Sequence, residues 1–528
     1  MNFHSRTINR SARSNPIVIL ASLVIFLVAA YVLSQSVISE DMSGLAYVGL
    51  FSLGAAFTVA MLNDWRRGVY FFLIWLLFED FARKFLGNNM AIYFAKDFLL
   101  LVVYISFFIA YRRKSVQTIR PPFTFPLLCF VWFGILQVFN PASTTLAYGI
   151  LGVKLFYIYV PLFFVGYALC NSEIDLRRFY KVNAILILII TSVGVTQSIV
   201  GPSFLNPAKP AEEIRELSQL YRTSPITGLV SYRAPSVFVS AGRYTNFLLI
   251  AWCLMLAFIG YLLLRYRAGR NLAFITIAVT YAAILLSGSR GIFLWSAGVA
   301  IGTAFAFVWG APWRQKEVLR VFRTLQRAAL GISVAVVALF LTFPDALMAR
   351  LAIYSETLTP GSSKSELQYR TWDYPLRNFL GAFDYDRWPY GYGIGTSSLG
   401  VQYIAKILHE KPMGVGVESG FGALVVEMGI GGLVLWLAMS AAILFSAWKV
   451  VKKLKGSPLF PIAFVIFFYS GILLLPMTFT SMVAYEDFII NAYFWLSLGI
   501  LFRLPNLALS PQRGPVAGLG QNTRAGTG

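Results

Sequence analysis

Long apolar runs, separated by short polar connections, occupy most of the chain. A membrane-spanning helix needs about 20 mostly apolar residues, and by that measure the pattern predicts about fourteen spans. The predicted spans cover residues 16–34, 44–62, 68–86, 91–111, 123–139, 147–169, 182–201, 243–264, 271–287, 291–309, 328–343, 418–447, 459–477 and 486–502. The third is the weakest, because charged residues between 79 and 84 interrupt its second half.

This pattern predicts an all-α polytopic membrane protein with one large polar loop. The predicted segments are, in order, a basic cytoplasmic N-terminus (1–15), the first eleven spans with an external loop at 202–242 (16–343), a large external loop (344–417), the last three spans (418–502) and a disordered cytoplasmic tail (503–528).

Composition supports this class and excludes several others. Hydrophobic residues make up 58% of the chain and charged residues 13%, with a mean hydropathy of +0.68, whereas a soluble domain carries about 25% charged residues. A soluble enzyme, a disordered chain and a nucleic-acid-binding protein are therefore excluded. The 3 cysteines lie far apart in apolar runs and only 2 histidines occur. We therefore expect no disulfide framework, no Ser-His-Asp triad, no metal site and no cofactor.

The net charge of +21 is explained mainly by topology. Most of the 44 lysines and arginines fall in connections that are cytoplasmic if the N-terminus is cytoplasmic. This alternation is the positive-inside pattern, and it predicts that both termini face the cytoplasm. Long external loops escape that rule, so their basic residues need another explanation.

Arginine outnumbers lysine among the basic residues of the predicted external segments. Its planar guanidinium binds two phosphate oxygens at once, which an ammonium group cannot do. Arg290 stands alone between two predicted spans, within Ser287–Gly291. It is either an anchor that snorkels to the membrane interface or a fixed cation that faces a cavity at the membrane surface.

The end of loop 344–417, from Trp388 to Gly395, alternates aromatic residues with glycines. Glycine lets a backbone approach a ligand closely, and an exposed aromatic ring offers a flat apolar face of the kind that sugars stack on. The alternative is an aromatic belt at the membrane interface. Acidic and basic residues balance in this loop, which disfavours a nucleic-acid partner.

Glu418 follows the loop directly, at the start of the next predicted helix. A carboxylate is favoured there by the helix dipole, or it acts as a general base on a sugar hydroxyl. Glu427 lies further along the same predicted span, where an ionisable side chain is expected to be paired or functional.

Several short segments together resemble the O-antigen ligase and O-antigen polymerase superfamily of bacterial polysaccharide-assembly membrane glycosyltransferases. Leu286–Gly291 looks like its Ser-Arg-Gly turn between two spans, Tyr369–Trp372 like its Arg-x-x-Trp opening of the periplasmic loop, and Pro389–Gly395 like its Pro-x-x-Gly-x-Gly-x-Gly segment. Glu418–Gly432 resembles the family's entry into the next helix, and Tyr232–Pro235 its Arg-containing segment before an earlier span. The likeness covers roughly residues 230–445.

The resemblance implies a GT-C type architecture in the bacterial inner membrane. It implies a polymerase that transfers a glycan from undecaprenyl diphosphate to an acceptor sugar hydroxyl at the periplasmic face, inverting the anomeric configuration without a metal ion. The implied residues are Glu418, Arg290 and Arg370 for catalysis, Arg290, Arg370, Arg233 and Arg243 for the diphosphate, and Trp372, Trp388, Tyr390 and Tyr392 for sugar. The expected partners are the undecaprenyl-diphosphate-linked oligosaccharide, the lipid bilayer and a chain-length regulator or export complex.

Other functions stay open. The family's ligases carry a histidine where this chain has Glu418, which favours a polymerase over a ligase that transfers glycan to a lipid or protein acceptor. A flippase for lipid-linked oligosaccharide is a further alternative, because transporters place ionisable residues inside their spans, as Lys96, Asp97 and Lys154 are here. A scaffold protein of an export machine, whose arginines bind only lipid headgroups, is the last.

Overall fold

The computed structural model describes residues 58–86, 90–207, 230–265, 268–312, 368–398, 400–409 and 417–509, together with short stretches and single residues between them. The predicted spans at 16–34, 44–62 and 328–343 lie wholly or largely outside the described residues, as does most of the predicted tail.

Helices make up most of the described chain. The first nine are α1 (Trp65–Leu86), α2 (Met90–Arg112), α3 (Thr124–Val138), α4 (Leu146–Tyr157), α5 (Leu162–Leu169), α6 (Glu173–Val200), α7 (Ala241–Leu264), α8 (Arg270–Leu286) and α9 (Arg290–Gly310). Between α6 and α7, the short strands β1 (Tyr221–Thr223) and β2 (Val230–Tyr232) pair antiparallel.

The remaining elements begin with a π-helical turn at Tyr369–Asp373. It leads into α10 (Tyr374–Gly381), a 3-10 turn (Ala382–Asp384), α11 (Val401–Leu408), α12 (Gly420–Lys453) and α13 (Phe460–Ile472). A second π-helical turn at Leu473–Met477 is followed by α14 (Thr478–Thr480), α15 (Val483–Glu486) and α16 (Phe488–Leu509).

Eight of the described helical segments are long and apolar enough to cross a membrane, so this is a multi-pass helical membrane protein. They are Ile92–Arg112, Leu146–Leu169, Glu173–Val200, Ala241–Leu264, Arg290–Gly310, Gly420–Lys453, Phe460–Thr480 and Phe488–Leu509. Helices α3, of 15 residues, and α8, of 17, are apolar but shorter. The total of about fourteen spans and the cytoplasmic placement of both termini stay predictions.

The weakest predicted span, 68–86, is a continuous helix of 22 residues, α1. Its charged residues Glu79, Asp80, Arg83 and Lys84 are all buried against other parts of the protein. This helix is therefore stabilised by internal ion pairs as well as by apolar contacts, and it is not among the eight segments above.

Local sequence signals set several helix ends. Ser172 and Asp175 form a reciprocal capping box at the start of α6, which satisfies backbone N–H groups that have no partner within the helix. Pro161 precedes α5, so the single predicted span at 147–169 contains a turn between α4 and α5. The last helix extends beyond the predicted end at residue 502, to Leu509.

Small residues allow the central helices to pack closely. A β-carbon at Gly166 of α5 would collide with the backbone of Leu496 in α16, and one at Gly499 of α16 would collide with that of Phe163. Such contacts replace the hydrophobic driving force that is missing between helices in lipid. Beside them, Trp436 packs edge-on against Tyr485, with ring centroids 4.8 Å apart.

One long helix is broken where it passes beneath the predicted external loop. Gly429 of α12 has φ of 68° and ψ of −174°, a conformation that side-chain-bearing residues rarely adopt. The break exposes backbone groups of α12, which bind the glycine-rich segment described below.

Candidate functional site

The predicted Ser-Arg-Gly segment forms a tight turn between α8 and α9. Gly288 has φ of 61°, and Arg290 is the first residue of α9. Arg290 is only 5% exposed. An interface anchor extends its guanidinium to water, so this burial favours the fixed cation over the snorkelling anchor.

Arg233, from the other predicted external loop, packs on the same turn. Its Cγ would lie 3.8 Å from a β-carbon at Gly288, and the Ser231 hydroxyl would lie 3.3 Å from it. The strand pair holds this residue in place, because the Arg233 N–H donates to the Leu220 carbonyl at 2.7 Å. Residues more than fifty positions apart are thus brought to one side of the turn.

The Arg233 guanidinium has no counter-charge within the part of the chain that the structure describes. Among the described residues, no carboxylate lies within ion-pair distance of it, and its buried Nε has no hydrogen-bond partner. Burial lowers the pKa of Arg233, and the neighbouring Tyr354 acts in the opposite direction. A partly buried cation without a counter-charge is costly, and a bound anion relieves that cost.

Arg350 and Tyr354 also lie against this turn, although no sequence motif indicated either residue. Arg350 donates from Nε to the Leu286 carbonyl at 2.6 Å, and the Tyr354 hydroxyl donates to the Leu285 carbonyl at 3.0 Å. Burial raises the pKa of Tyr354 to about 12. A spacing of four residues would place both on one face of a helix, and this is the signal that could have identified them. We call Arg233, Arg290, Arg350 and Tyr354 the arginine corner.

Arg243 lies elsewhere and is already paired. Its Nη1 lies 2.8 Å from both carboxylate oxygens of Asp80, which is buried in α1. Asp80 also accepts from Arg83 at 3.1 Å, and the Arg243 guanidinium lies 4.7 Å from the Phe488 ring centroid. The geometry gives Arg243 a structural contact that joins α7 to α1, with its charge balanced by Asp80.

The other charges inside predicted spans are also paired with one another. Lys96 of α2 donates to Glu79 of α1 at 3.1 Å, and both side chains are buried. Lys154 of α4 forms an ion pair with Asp97 of α2. These pairs join three helices near the ends that are predicted to face outward.

Glu418 lies at an exposed position before α12. Its carboxylate accepts a hydrogen bond from Tyr374, which raises the pKa of that phenol. The next residue, Ser419, caps α12 by accepting from Gly422 N and donates to the Phe479 carbonyl at 2.8 Å. The carboxylate is therefore accessible to a ligand, and a rigid helix start holds it.

Trp372 lies near Glu418 and is 60% exposed. Its ring centroid is 5.9 Å from that of Phe479, which also packs against Phe421. We call Glu418, Tyr374, Trp372 and Phe479 the glutamate corner. The backbone of Arg370 lies in the π-helical turn before it, but its side chain is outside what the structure describes.

The glycine-rich segment, residues 389–397, is bound to the broken part of α12. Tyr392 N donates to the Val426 carbonyl at 2.8 Å, and Gly393 N donates to the Glu427 carbonyl at 2.9 Å. The Glu427 carboxylate accepts from Gly395 N at 2.9 Å, from Ser397 N at 2.9 Å and from the Ser397 hydroxyl at 2.6 Å. Glu427, 1% exposed, is thus paired with backbone groups of the loop.

The aromatic residues in and directly before this segment differ in exposure. Tyr390 is 79% exposed, and its carbonyl accepts from Gln137 at 3.0 Å. Trp388 packs edge-on against Phe383, whereas Tyr392 is half-buried beside Tyr385. Tyr390 and Trp388 are therefore the aromatic faces of this segment most open to a sugar.

The structure brings the predicted site residues into two regions. The glutamate corner and the glycine-rich segment are linked through α10 and the 3-10 turn after it, because Phe383 contacts both Phe379 of α10 and Trp388, which directly precedes the segment. No described contact joins Glu418 to the arginine corner. Within the described residues, no group of three or more His, Cys, Asp or Glu side chains is arranged to hold a metal ion.

No family model matches this chain, and no curated protein is similar to it. Its resemblance to the O-antigen ligase and polymerase superfamily therefore depends on the short motifs alone.

Proposed function

We propose that this protein is a polysaccharide polymerase that transfers a glycan from undecaprenyl diphosphate to an acceptor sugar hydroxyl at the predicted periplasmic face. The observation that carries the proposal is the arginine corner. It places Arg233, which has no carboxylate within ion-pair distance among the described residues, on the turn that leads into Arg290 at the start of α9. Guanidinium groups bind phosphate oxygens through charge-assisted hydrogen bonds. The helix dipole at the start of α9 adds to the same attraction.

The proposed reaction is a single displacement. The acceptor hydroxyl oxygen attacks the anomeric carbon of the donor, and the bond from that carbon to the diphosphate oxygen breaks. The diphosphate keeps the electron pair, and Arg233 and Arg290 stabilise its developing charge. Glu418 takes the hydroxyl proton, which requires that its carboxylate and the arginine corner face the same bound donor.

Sugar binding is assigned to three exposed rings, one in the glutamate corner and two at the glycine-rich segment. Trp372, Trp388 and Tyr390 offer flat apolar faces along the path from the glutamate corner to the glycine-rich segment. Arg370 remains a proposed diphosphate ligand because of its position in the Arg-x-x-Trp motif. Arg243 does not, since Asp80 already balances its charge.

Purified protein in lipid nanodiscs, supplied with undecaprenyl-diphosphate oligosaccharide, separates the candidate functions. A polymerase lengthens the lipid-linked glycan into a ladder on a gel, and Arg290→Ala abolishes that ladder while the exposed control Arg377→Ala keeps it. A ligase instead moves the glycan once, to a different lipid or protein acceptor. Unaltered substrate after incubation with the folded wild-type protein contradicts both.

A flippase is the second candidate, because the ion pairs Lys96–Glu79 and Lys154–Asp97 lie within helices of the predicted membrane region. Its test uses the same protein in sealed vesicles with the lipid-linked oligosaccharide on one side. Movement of the substrate across the bilayer without lengthening supports the flippase and contradicts the polymerase.

A further inference from the structure

Arg350 is placed where three separate segments of the chain end. Its Nε donates to the Leu286 carbonyl at 2.6 Å, and its Nη2 donates to the Tyr232 carbonyl at 2.9 Å and to the Ser198 carbonyl at 3.5 Å. These carbonyls belong to the end of α8, to β2 and to the last turn of α6. One guanidinium thereby joins both predicted external loops to the spans beneath them.

The contacts suit a guanidinium physically. The last four carbonyls of a helix have no partner within it, and they carry the negative end of the helix dipole. A cation with several donors in one plane can bind two such helix ends and a strand at the same time, whereas an ammonium group has one nitrogen. Arg350 is 3% exposed, so these bonds form away from water and are correspondingly stronger.

The two carbonyls that Arg350 binds most closely flank the proposed phosphate ligands. Tyr232 directly precedes Arg233, and Leu286 is the last residue of α8 before the turn that leads to Arg290. Tyr354, one helical turn beyond Arg350, supports the same turn through Leu285 and stacks on Phe293 of α9, with ring centroids 4.6 Å apart. A shift of Arg350 therefore changes the separation of Arg233 from Arg290.

We propose that Arg350 is a positioning residue, which holds Arg233 and Arg290 at the spacing that a diphosphate requires. This inference rests on the proposed function. Arg350 itself is not a phosphate ligand in this account, because its donors are directed at backbone carbonyls and its side chain is covered by protein. It acts through Arg233 and Arg290.

The test is a double-mutant cycle in the ladder assay. Arg350→Lys keeps the charge but cannot bridge the same carbonyls, so kcat/KM for the lipid-diphosphate donor is expected to fall about tenfold, with KM for the acceptor glycan unchanged. In an Arg233→Ala background the same change is expected to cost less than about twofold, because one of the two arginines whose spacing Arg350 sets is gone. Arg377→Lys, on the exposed face of α10, is the matched control and keeps wild-type activity.

Tyr354→Phe is made in parallel and removes one donor to the turn without removing a buried charge, so it keeps the test valid if Arg350→Lys folds poorly. It is expected to lower kcat/KM for the donor less than Arg350→Lys and to show the same loss of effect in the Arg233→Ala background. If Arg350→Lys and Tyr354→Phe each lower kcat/KM by the same factor in the wild-type and in the Arg233→Ala background, the positioning role is overturned. A wild-type protein that makes no ladder contradicts the proposed function instead, so the two failures are distinguishable.

Discussion

Two arginines predicted to bind the same ligand differ at the scale of single residues. Arg243 lies 2.8 Å from both oxygens of the buried Asp80, whereas no described carboxylate lies within ion-pair distance of Arg233. A cation that already has a carboxylate partner gains little from a bound anion, whereas a cation without such a partner can form an ion pair with that anion. Neighbouring charges, more than residue type, decide which arginines enter the proposed site.

Glu427 is the residue on which the position of the glycine-rich segment depends most. Its carboxylate accepts three hydrogen bonds from Gly395 and Ser397. A glutamine has one oxygen in place of two, so Glu427→Gln leaves a buried N–H without an acceptor and costs on the order of 2 kcal/mol. We expect a lower unfolding temperature in detergent and faster proteolysis of residues 389–397. The exposed control Asp386→Asn changes neither, and an equal effect of both variants contradicts the assignment.

Glu486, the last residue of α15, gives the protein a pH-dependent stability. Burial, together with the nearby Glu427 carboxylate, raises its pKa from 4.5 to about 8. Between pH 4.5 and about pH 8, the Glu486 carboxyl keeps its proton in the folded protein and loses it in the unfolded chain. The stabilisation is therefore complete below about pH 4.5 and is lost as the pH rises toward 8.

The measurement is the unfolding temperature in detergent at pH 5 and at pH 8. We expect the wild-type value to fall by roughly 5 °C across this range, and Glu486→Gln to remove most of that fall. The exposed Asp386→Asn serves as the control, with the wild-type pH dependence. A Glu486→Gln variant that keeps the full dependence shows that another group causes it.

At the scale of elements, the sequence predicts the apolar helices well because hydrophobicity is a local property. The Ser287–Gly291 turn and the glycine-rich segment could be recognised because each is a motif of consecutive residues. The break at Gly429, the binding of residues 389–397 to it and the Arg350 contacts could not, since each depends on groups far apart in sequence. The Asp80–Arg243 pair was partly foreseeable, because a carboxylate inside a predicted span needs a partner.

Gly391 is required where the glycine-rich segment crosses α12. It has φ of 81°, and a β-carbon there would collide with the backbone of Glu427 and Gly429. Gly391→Ala therefore combines backbone strain of about 1 kcal/mol with a steric clash, and it is expected to detach the segment and reduce ladder formation at least tenfold. Gly298, in the middle of α9, has open space around its missing β-carbon, so Gly298→Ala keeps activity. Equal activity of the two variants contradicts this account of the segment.

At the scale of the whole molecule, the charges fall into two functional groups. Buried ion pairs such as Lys96–Glu79 and Arg243–Asp80 hold the helices together. The arginine corner and the glutamate corner lie on segments that the positive-inside pattern places outside the membrane. The buried pairs add nothing to the net charge of +21, which therefore combines topology and a small set of external arginines, and only these arginines support the proposed function.

The central claim is that the arginine corner binds the donor diphosphate. It is tested most directly by ladder formation from undecaprenyl-diphosphate oligosaccharide with Arg233→Ala/Arg290→Ala, measured beside Arg377→Ala at matched unfolding temperature. We predict that the double variant loses the ladder by at least about a hundredfold, and that the exposed control keeps it. A folded double variant that builds the ladder at the wild-type rate contradicts the claim.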